Sequence, residues 1–318
     1  MNIFFMIIKN IINLPKAIFS IYKNSNDIIL CVHFFPILLG IICKFIRIKR
    51  KYVFIVHTNV FSYGQQLSGI KKKVFFVFLK LLAKGDCIVF LTKDVALRFS
   101  YEYRCGNVYQ IFNIYNRRKK TINKIIKSKK DILFVGRLSK EKNIFFIIDV
   151  YKKHIDVGGS ANLHIVGDGP EYQDLKKEID SLDSKYNIIL HGHISDVGPY
   201  YSLADIFILT SSYEGFPVSL LEAIDYNLPI ISSDCLSGPK EILKFNNNKM
   251  EYPLFNNISI LLPVPTKNNI DMYVKALSFF IDKNKYDDSC SSLYLDDYNE
   301  EEIFAQWDNV FIFLESSL

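Results

Sequence analysis

Glu214 and Glu222 stand eight residues apart in the segment YEGFPVSLLEA, residues 213–223. Glu214 follows the apolar run Ile206–Leu209, and Pro217 suits the first position of a helix that would carry Glu222. A carboxylate at a strand's end and another one turn into the next helix can face the same crevice. Open α/β sheets bind their ligands there. Helix N-terminal amides attract phosphate, and the Glu222 carboxylate can accept two hydrogen bonds from a vicinal diol. Upstream, Arg137 and Lys142 follow the strand-like run 131–135. One is a planar fork and the other a point charge, and both can aim at phosphate oxygens. Gly167 and Gly169, after the run 162–166, permit close backbone approach where a side chain would block a flat base. Glu171 is placed to serve the N-terminus of the following helix. His57 ends the apolar run 52–56, where a neutral imidazole can polarise a hydroxyl, and His33 holds a similar position. His191 and His193, at i and i+2, signal metal only weakly. Any of these residues alone can be read as a cap, a loop residue or surface charge; their shared context carries the chemistry.

That context is a series of strand–loop–helix units. From residue 131 onward, strands near 131–135, 162–166, 187–190, 205–209, 229–232 and 258–262 alternate with helical stretches. The pattern predicts a parallel sheet with helices on both faces. The first half reads as a helix over 2–24 broken at Pro15, strand 28–32, helix 36–47 and strand 52–57. A basic helix over 69–83, strand 87–91, helix 93–100 and strand 107–111 follow. The segment 116–130 is rich in Arg, Lys, Asn and Thr and reads as a linker. A last amphipathic helix over 299–314 carries the single tryptophan, Trp307.

Three loops, GRLSKEKN at 136–143, GDGPE at 167–171 and EGFP at 214–217, occur in this order, each after a strand-like run. Together they resemble the retaining glycosyltransferases of family 4, over roughly residues 131–245. The resemblance implies an α/β fold of GT-B architecture, two facing Rossmann-like domains. The chain divides accordingly into an N-terminal acceptor-side domain (1–125), a nucleotide-sugar domain (126–298) and a C-terminal helix (299–318) that crosses back. It further implies that Arg137 and Lys142 hold the donor diphosphate and that Gly167 and Gly169 shape the nucleotide pocket. Glu222 would grip the ribose, and Glu214 would lie against the transferred sugar. The amides of Gly215, Phe216 and Val218 would complete the cradle, with His57 facing the crevice from the other domain. Neither metal nor any other cofactor is implied, because this architecture neutralises the leaving diphosphate with fixed cations and helix dipoles. The family's opening glycine-rich loop has no counterpart: the first 39 residues contain no glycine, and no Gly-Gly pair precedes 158–159. The N-terminal domain therefore reads as shortened.

Charge is distributed unevenly. Residues 1–130 carry 24 Lys and Arg against 4 Asp and Glu, and residues 131–318 carry 15 against 29. A basic half points to a polyanion or an anionic bilayer, and no nucleic-acid motif accompanies it. Basic clusters interleave with bulky apolar residues at 44–51 and 71–78, a composition suited to a membrane surface; solvated helix faces are the competing reading. The run 28–46 approaches the length of a membrane span, but His33, Pro36 and Lys44 interrupt it, and Asp27 and Pro36 favour a buried strand, a loop and a packed helix. The opening residues 1–8 lack a basic n-region and a cleavage site. Six scattered cysteines without a C-x-x-C pair read as free thiols in a reducing compartment.

The expectation is a metal-independent retaining transferase that moves a sugar from a nucleotide-sugar donor. Its acceptor would be a glycan, lipid-linked in bacterial surface polysaccharide synthesis. It would be cytoplasmic and peripheral on the inner face of the plasma membrane, with no nucleic-acid partner. A degenerate subunit that scaffolds a partner, or a nucleotide-sugar epimerase on the same fold, are the alternatives.

Overall fold

The computed structural model describes residues 28–117, 128–245, 251–282 and 294–316. The helix expected over 2–24, most of the linker and Cys290 lie outside them. The chain forms two compact units, one of the described residues up to Asn113 with those from Phe304 onward, the other running from Ile114 to Ile303.

The first unit is built on β1 (Ile28–Val32), β2 (Lys51–Val56), β3 (Cys87–Phe90) and β4 (Val108–Gln110), all parallel and in sequence order. Its helices are α1 (Phe34–Phe45), α2 (Val60–Gln66), α3 (Gly69–Leu82) and α4 (Lys93–Tyr103). Every residue of β3 is buried, as expected for a parallel strand covered on both faces. Helix α1 turns Ile37, Gly40 and Cys43 inward at a spacing of three. A Cβ on Gly40 would come within 2.8 Å of Cys31 and Phe54, so glycine lets α1 lie close on the sheet. The run 28–46 is therefore a strand and a short packed helix. No helix among the described residues is long and apolar enough to cross a membrane. Helix α2 is unforeseen in the sequence pattern. Asn59 nucleates it, its Oδ1 accepting from the Phe61 and Ser62 amides at 3.1 Å each.

The second unit contains β5 (Lys130–Val135), β6 (Ala161–Val166), β7 (Ile188–Gly192), β8 (Ile206–Leu209), β9 (Ile230–Ser233), β10 (Leu254–Phe255) and β11 (Ser259–Leu262). They form one sheet in the order β10-β11-β9-β8-β5-β6-β7, parallel except for β10 against β11. Between them run α5 (Ile144–Asp156), α6 (Tyr172–Asp180), α7 (Gly198–Leu203), α8 (Val218–Asp225), α9 (Pro239–Ile242) and α10 (Ile270–Asp282). Helix α11 (Glu300–Ser316) starts at the end of this unit and continues into the residues grouped with the first. Phe134, Ile148, Tyr151, Leu163, Ile208 and Leu277 join one buried core cluster. Each such side chain contributes about 1.5–3 kcal/mol through burial. Strand β5 pairs with β6 on one side and β8 on the other, so the strand order reverses there. The loops after β5 and β8 flank this switch point, the expected place for a ligand.

Candidate functional site

The loops after β5 and β6 are joined by backbone hydrogen bonds. Leu138 N–H donates to Asp168 O at 2.9 Å and Glu171 N–H donates to Leu138 O at 3.0 Å. This contact accounts for the glycines. A Cβ on Gly167, whose φ is +148°, would lie 1.8 Å from Gly136 O, and one on Gly169 would lie 2.3 Å from Leu138 O. The close backbone approach expected at these glycines is made by the neighbouring loop. Glu171 stands at the N-terminus of the following helix, as expected. It occupies the N-cap of α6, and its side chain makes no capping bond. Its Oε2 is buried without a hydrogen-bond partner, and burial pushes its carboxyl pKa up against the pull of Lys140.

The loops after β5 and β8 are tied as closely, through residues that sequence reasoning missed. Asn143 Nδ2 donates to Thr210 O at 2.8 Å and to Ser212 Oγ at 2.7 Å, and Thr210 Oγ1 donates to Lys142 O at 2.9 Å. Asn143 adopts a left-handed conformation, φ 53°, which asparagine tolerates better than most residues. That αL preference was the available signal.

This bracing brings Lys142 to Glu214. The ammonium donates to Oε1 at 2.6 Å and to Oε2 at 2.8 Å. Ser211 Oγ donates to the same Oε1 at 2.5 Å. Glu214 is 6% exposed, and its backbone is fixed from β9's side: its N–H donates to Leu236 O and its carbonyl accepts from Ser237 Oγ. Gly238, φ +107°, passes so close to Pro217 that a Cβ would approach its ring carbon at 2.4 Å. Arg137 is exposed and has no ion pair among the described residues. The cation pair is therefore divided, with Lys142 neutralised in the fold and Arg137 open to solvent.

Glu222 projects from α8 and is 9% exposed. Tyr201 on α7, also missed by sequence reasoning, donates its hydroxyl to Glu222 Oε2 at 2.9 Å. The two carboxylates thus have different partners, Lys142 and Ser211 for one and Tyr201 for the other. Pro217 sits at the N-cap rather than the first helical position, since its ψ of 86° leaves it outside the helix. The Val218 N–H expected to face a ligand donates to Phe216 O at 3.0 Å. Gly215 stands directly after Glu214 in the turn, and the Phe216 ring packs against Tyr298 at 5.7 Å.

His57 belongs to the first unit, just after β2, with His33 beside it at 5.0 Å between ring centroids. Burial and the neighbouring His33 lower the His57 pKa, favouring a neutral ring. His191 lies within β7 rather than in a loop. Its Nε2 is 2.9 Å from His164 Nδ1, and the two rings stack at 9°. No group of three or more His, Cys, Asp or Glu side chains among the described residues is arranged to hold a metal ion. Cys31, Cys43, Cys87, Cys105 and Cys235 are free thiols.

The switch point carries a buried lysine–carboxylate pair and an open arginine, and a second buried carboxylate stands on α8; such groups can bind an anion and hydroxyls. Residues 116–291 match the family described as glycosyl transferases group 1. The chain belongs to this family. An uncharacterized glycosyltransferase of Haemophilus influenzae is 26% identical to it, over 94% of the chain and 82% of that protein. Another, from Methanocaldococcus jannaschii, is 28% identical over 78% of the chain and 63% of that protein. The amylovoran biosynthesis glycosyltransferase AmsD of Erwinia amylovora is 28% identical, over 67% of the chain and 59% of that protein. The chain thus spans about three-fifths of the length of the last two. Among solved structures, the lipopolysaccharide outer core galactosyltransferase WaaB in its apo form superposes with a TM-score of 0.71 at 20% identity, over 98% of the chain and 82% of WaaB. TarM of S. aureus gives 0.76 at 18% identity, over 94% of the chain and 59% of TarM. These likenesses establish the GT-B fold for this group 1 chain, with its two Rossmann-like sheets.

Proposed function

We propose that the chain is a metal-independent, retaining family 4 glycosyltransferase. It moves a sugar from a nucleotide-sugar to a glycan acceptor, lipid-linked and destined for bacterial surface polysaccharide, at the inner face of the plasma membrane. The observation that carries this reading is the Lys142–Glu214–Ser211 cluster at the β5/β8 switch point. Group 1 membership and the amylovoran and lipopolysaccharide relatives support it.

In this reading the donor diphosphate takes up Arg137 and Lys142, whose fixed charges stabilise the developing leaving group. The ribose hydroxyls donate to Glu222, whose carboxylate Tyr201 holds in place. Glu214, freed in part from Lys142, lies against the transferred sugar and stabilises positive charge at the anomeric carbon. The acceptor oxygen bonds to that carbon on the face the diphosphate leaves. The carbon–oxygen bond to the diphosphate breaks, and the acceptor proton passes to the departing phosphate oxygen. His57, neutral near pH 7, polarises a hydroxyl.

TarM has been solved with UDP bound, which makes UDP the first nucleotide to test. Thermal shifts with UDP, GDP, dTDP, ADP and CMP should single out one nucleotide. Binding at a hundredfold excess over Kd stabilises the folded state by about 2.7 kcal/mol. Glu222→Ala and Arg137→Ala should abolish the shift. A well-folded sample that responds to no nucleotide would sink the reading.

A further inference from the structure

The chain passes from the first unit into the second between Asn113 and Ile114 and returns between Ile303 and Phe304. Tyr115 follows the first passage closely, and Tyr298 stands shortly before the second. The Tyr115 N–H donates to Tyr298 O at 2.8 Å, which fastens the two segments to each other. Arg117 and Asp296 add an exposed ion pair at 2.7 Å, which contributes little by itself.

Both segments also reach the turn and helix that carry Glu214 and Glu222. The buried Tyr298 ring packs against Phe216 at 5.7 Å between centroids, just ahead of α8. At the other end of that helix, Tyr115 donates its hydroxyl to Asp225 Oδ2 at 3.0 Å. Asp225 is 3% exposed and closes α8, three positions after Glu222. That spacing makes the two side chains neighbours on the helix surface, so a bond at Asp225 constrains the turn that presents Glu222.

Helix α8 depends on such constraints. It has eight residues, and its N-cap, Pro217, makes no side-chain capping bond. Helices this short are marginal without tertiary contacts. Leu220, Leu221, Ala223 and Ile224 bury it in the core. Apolar burial is non-directional, however, and fixes rotation about the helix axis and sliding along it only weakly. Directed bonds set both. Tyr201 holds one oxygen of Glu222, whereas Tyr115 holds the last turn of the helix itself. Buried polar groups are hydrogen-bonded as a rule, and here a partner of the Asp225 carboxylate comes from the segment that joins the units.

We propose that Tyr115 is a positioning residue for nucleotide binding. Through Asp225 it sets the placement of α8, and with it the Glu222 carboxylate that receives the ribose hydroxyls. The inference rests on the proposed role of Glu222 and adds that the joining segment takes part in donor recognition by acting through α8.

The test is calorimetric titration of the full chain with the nucleotide singled out by thermal shift, UDP first, and with its 2′,3′-dideoxy form. Tyr115→Phe removes one hydroxyl, and circular dichroism verifies that the variant is folded. It should bind the nucleotide about fivefold more weakly, the order of one hydrogen bond's net contribution, and bind the dideoxy form as wild type does. A general loss of structure would weaken both forms alike. Asp225→Asn keeps an oxygen to accept from Tyr115 and should keep the wild-type preference for the ribose hydroxyls. No loss in Tyr115→Phe, an equal loss for both forms, or the same lost preference in Asp225→Asn overturns the positioning role alone. Wild type that binds both forms equally overturns the Glu222 assignment and this inference with it, and folded wild type that binds no nucleotide overturns the transferase reading.

Discussion

Lys142 and Glu214 are each other's counter-ions, so substitutions at the two positions should move ligand affinity in opposite directions. The lysine side chain is 16% exposed and that of the glutamate 7%, so solvent screens the pair little. Of the three N–H donors of Lys142, one reaches Oε1 and one Oε2, at 2.6 and 2.8 Å. Lys142→Ala leaves a buried carboxylate held on its side chain by Ser211, and should cost about 3–5 kcal/mol of stability. Glu214→Gln keeps the shape and the Ser211 contact, and loses the charge-assisted component, about 1.5–3 kcal/mol. A nucleoside diphosphate must draw Lys142 from the carboxylate that already neutralises it. Weakening that competitor by about 1.4 kcal/mol corresponds to a tenfold gain in affinity. Glu214→Gln should therefore bind UDP about tenfold tighter while its transfer activity falls, and Lys142→Ala should bind UDP more weakly. Calorimetric titration with UDP, paired with urea denaturation followed by circular dichroism, reads both quantities. A Gln variant that binds UDP no tighter than wild type would show that ion pair and diphosphate do not compete, and the reasoning would be wrong.

Gly167→Ala should destabilise the second unit by more than about 1 kcal/mol, because its Cβ would sit 1.8 Å from Gly136 O at a φ of +148°; a urea midpoint equal to the parent's would refute the loop-contact account. Stability should also fall as pH drops below 6.5. His57, His154 and His191 all have pKa values lowered from 6.5, chiefly by burial. Above 6.5 both states are neutral at these rings; below it the unfolded chain takes up protons first, and the folded state loses stability until the pH passes the folded pKa values. The urea midpoint should decline from pH 7 to 5 and flatten in the combined His57→Asn, His154→Gln, His191→Asn variant, and an equally steep decline there would remove the assignment.

The strand–loop–helix order was legible because buried parallel strands read as short apolar runs: β8, Ile206–Leu209, is buried at every position. Helix α2 was not, because seven residues give too little periodicity and its signal is one side chain, Asn59. The two-residue edge strand β10 pairs antiparallel with β11 and carries no alternation to read. At the site, Glu214, Glu222 and Lys142 could be identified as chemically capable, since carboxylates and cations beside Gly and Pro turns are visible in a linear string. Their partners could not. Lys142 meets Glu214 across 72 residues because β5 pairs with β8, and Tyr201 meets Glu222 across 21, from the helices before and after β8.

That distinction separates the glycines, whose close approach was legible, from Lys142 and Glu214, whose meeting was not. A glycine states only that something approaches closely, and sequence cannot say whether it is a ligand or another loop. Here Gly167 and Gly169 admit the loop after β5, whose other end Asn143 fastens to Thr210 and Ser212. The small residues thus act on the site at one remove. They hold the backbone from Gly136 to Asn143 between β6 and β8, which limits where the Lys142 ammonium can go. A flexible lysine on a free loop would lose side-chain and backbone entropy on meeting a diphosphate; one carried on a braced loop has lost most of the backbone part already. The Glu214 pairing then keeps the charge compensated until an anion arrives. In the proposed reading Arg137, exposed on the same loop, would make the first contact without having to leave a partner among the described residues.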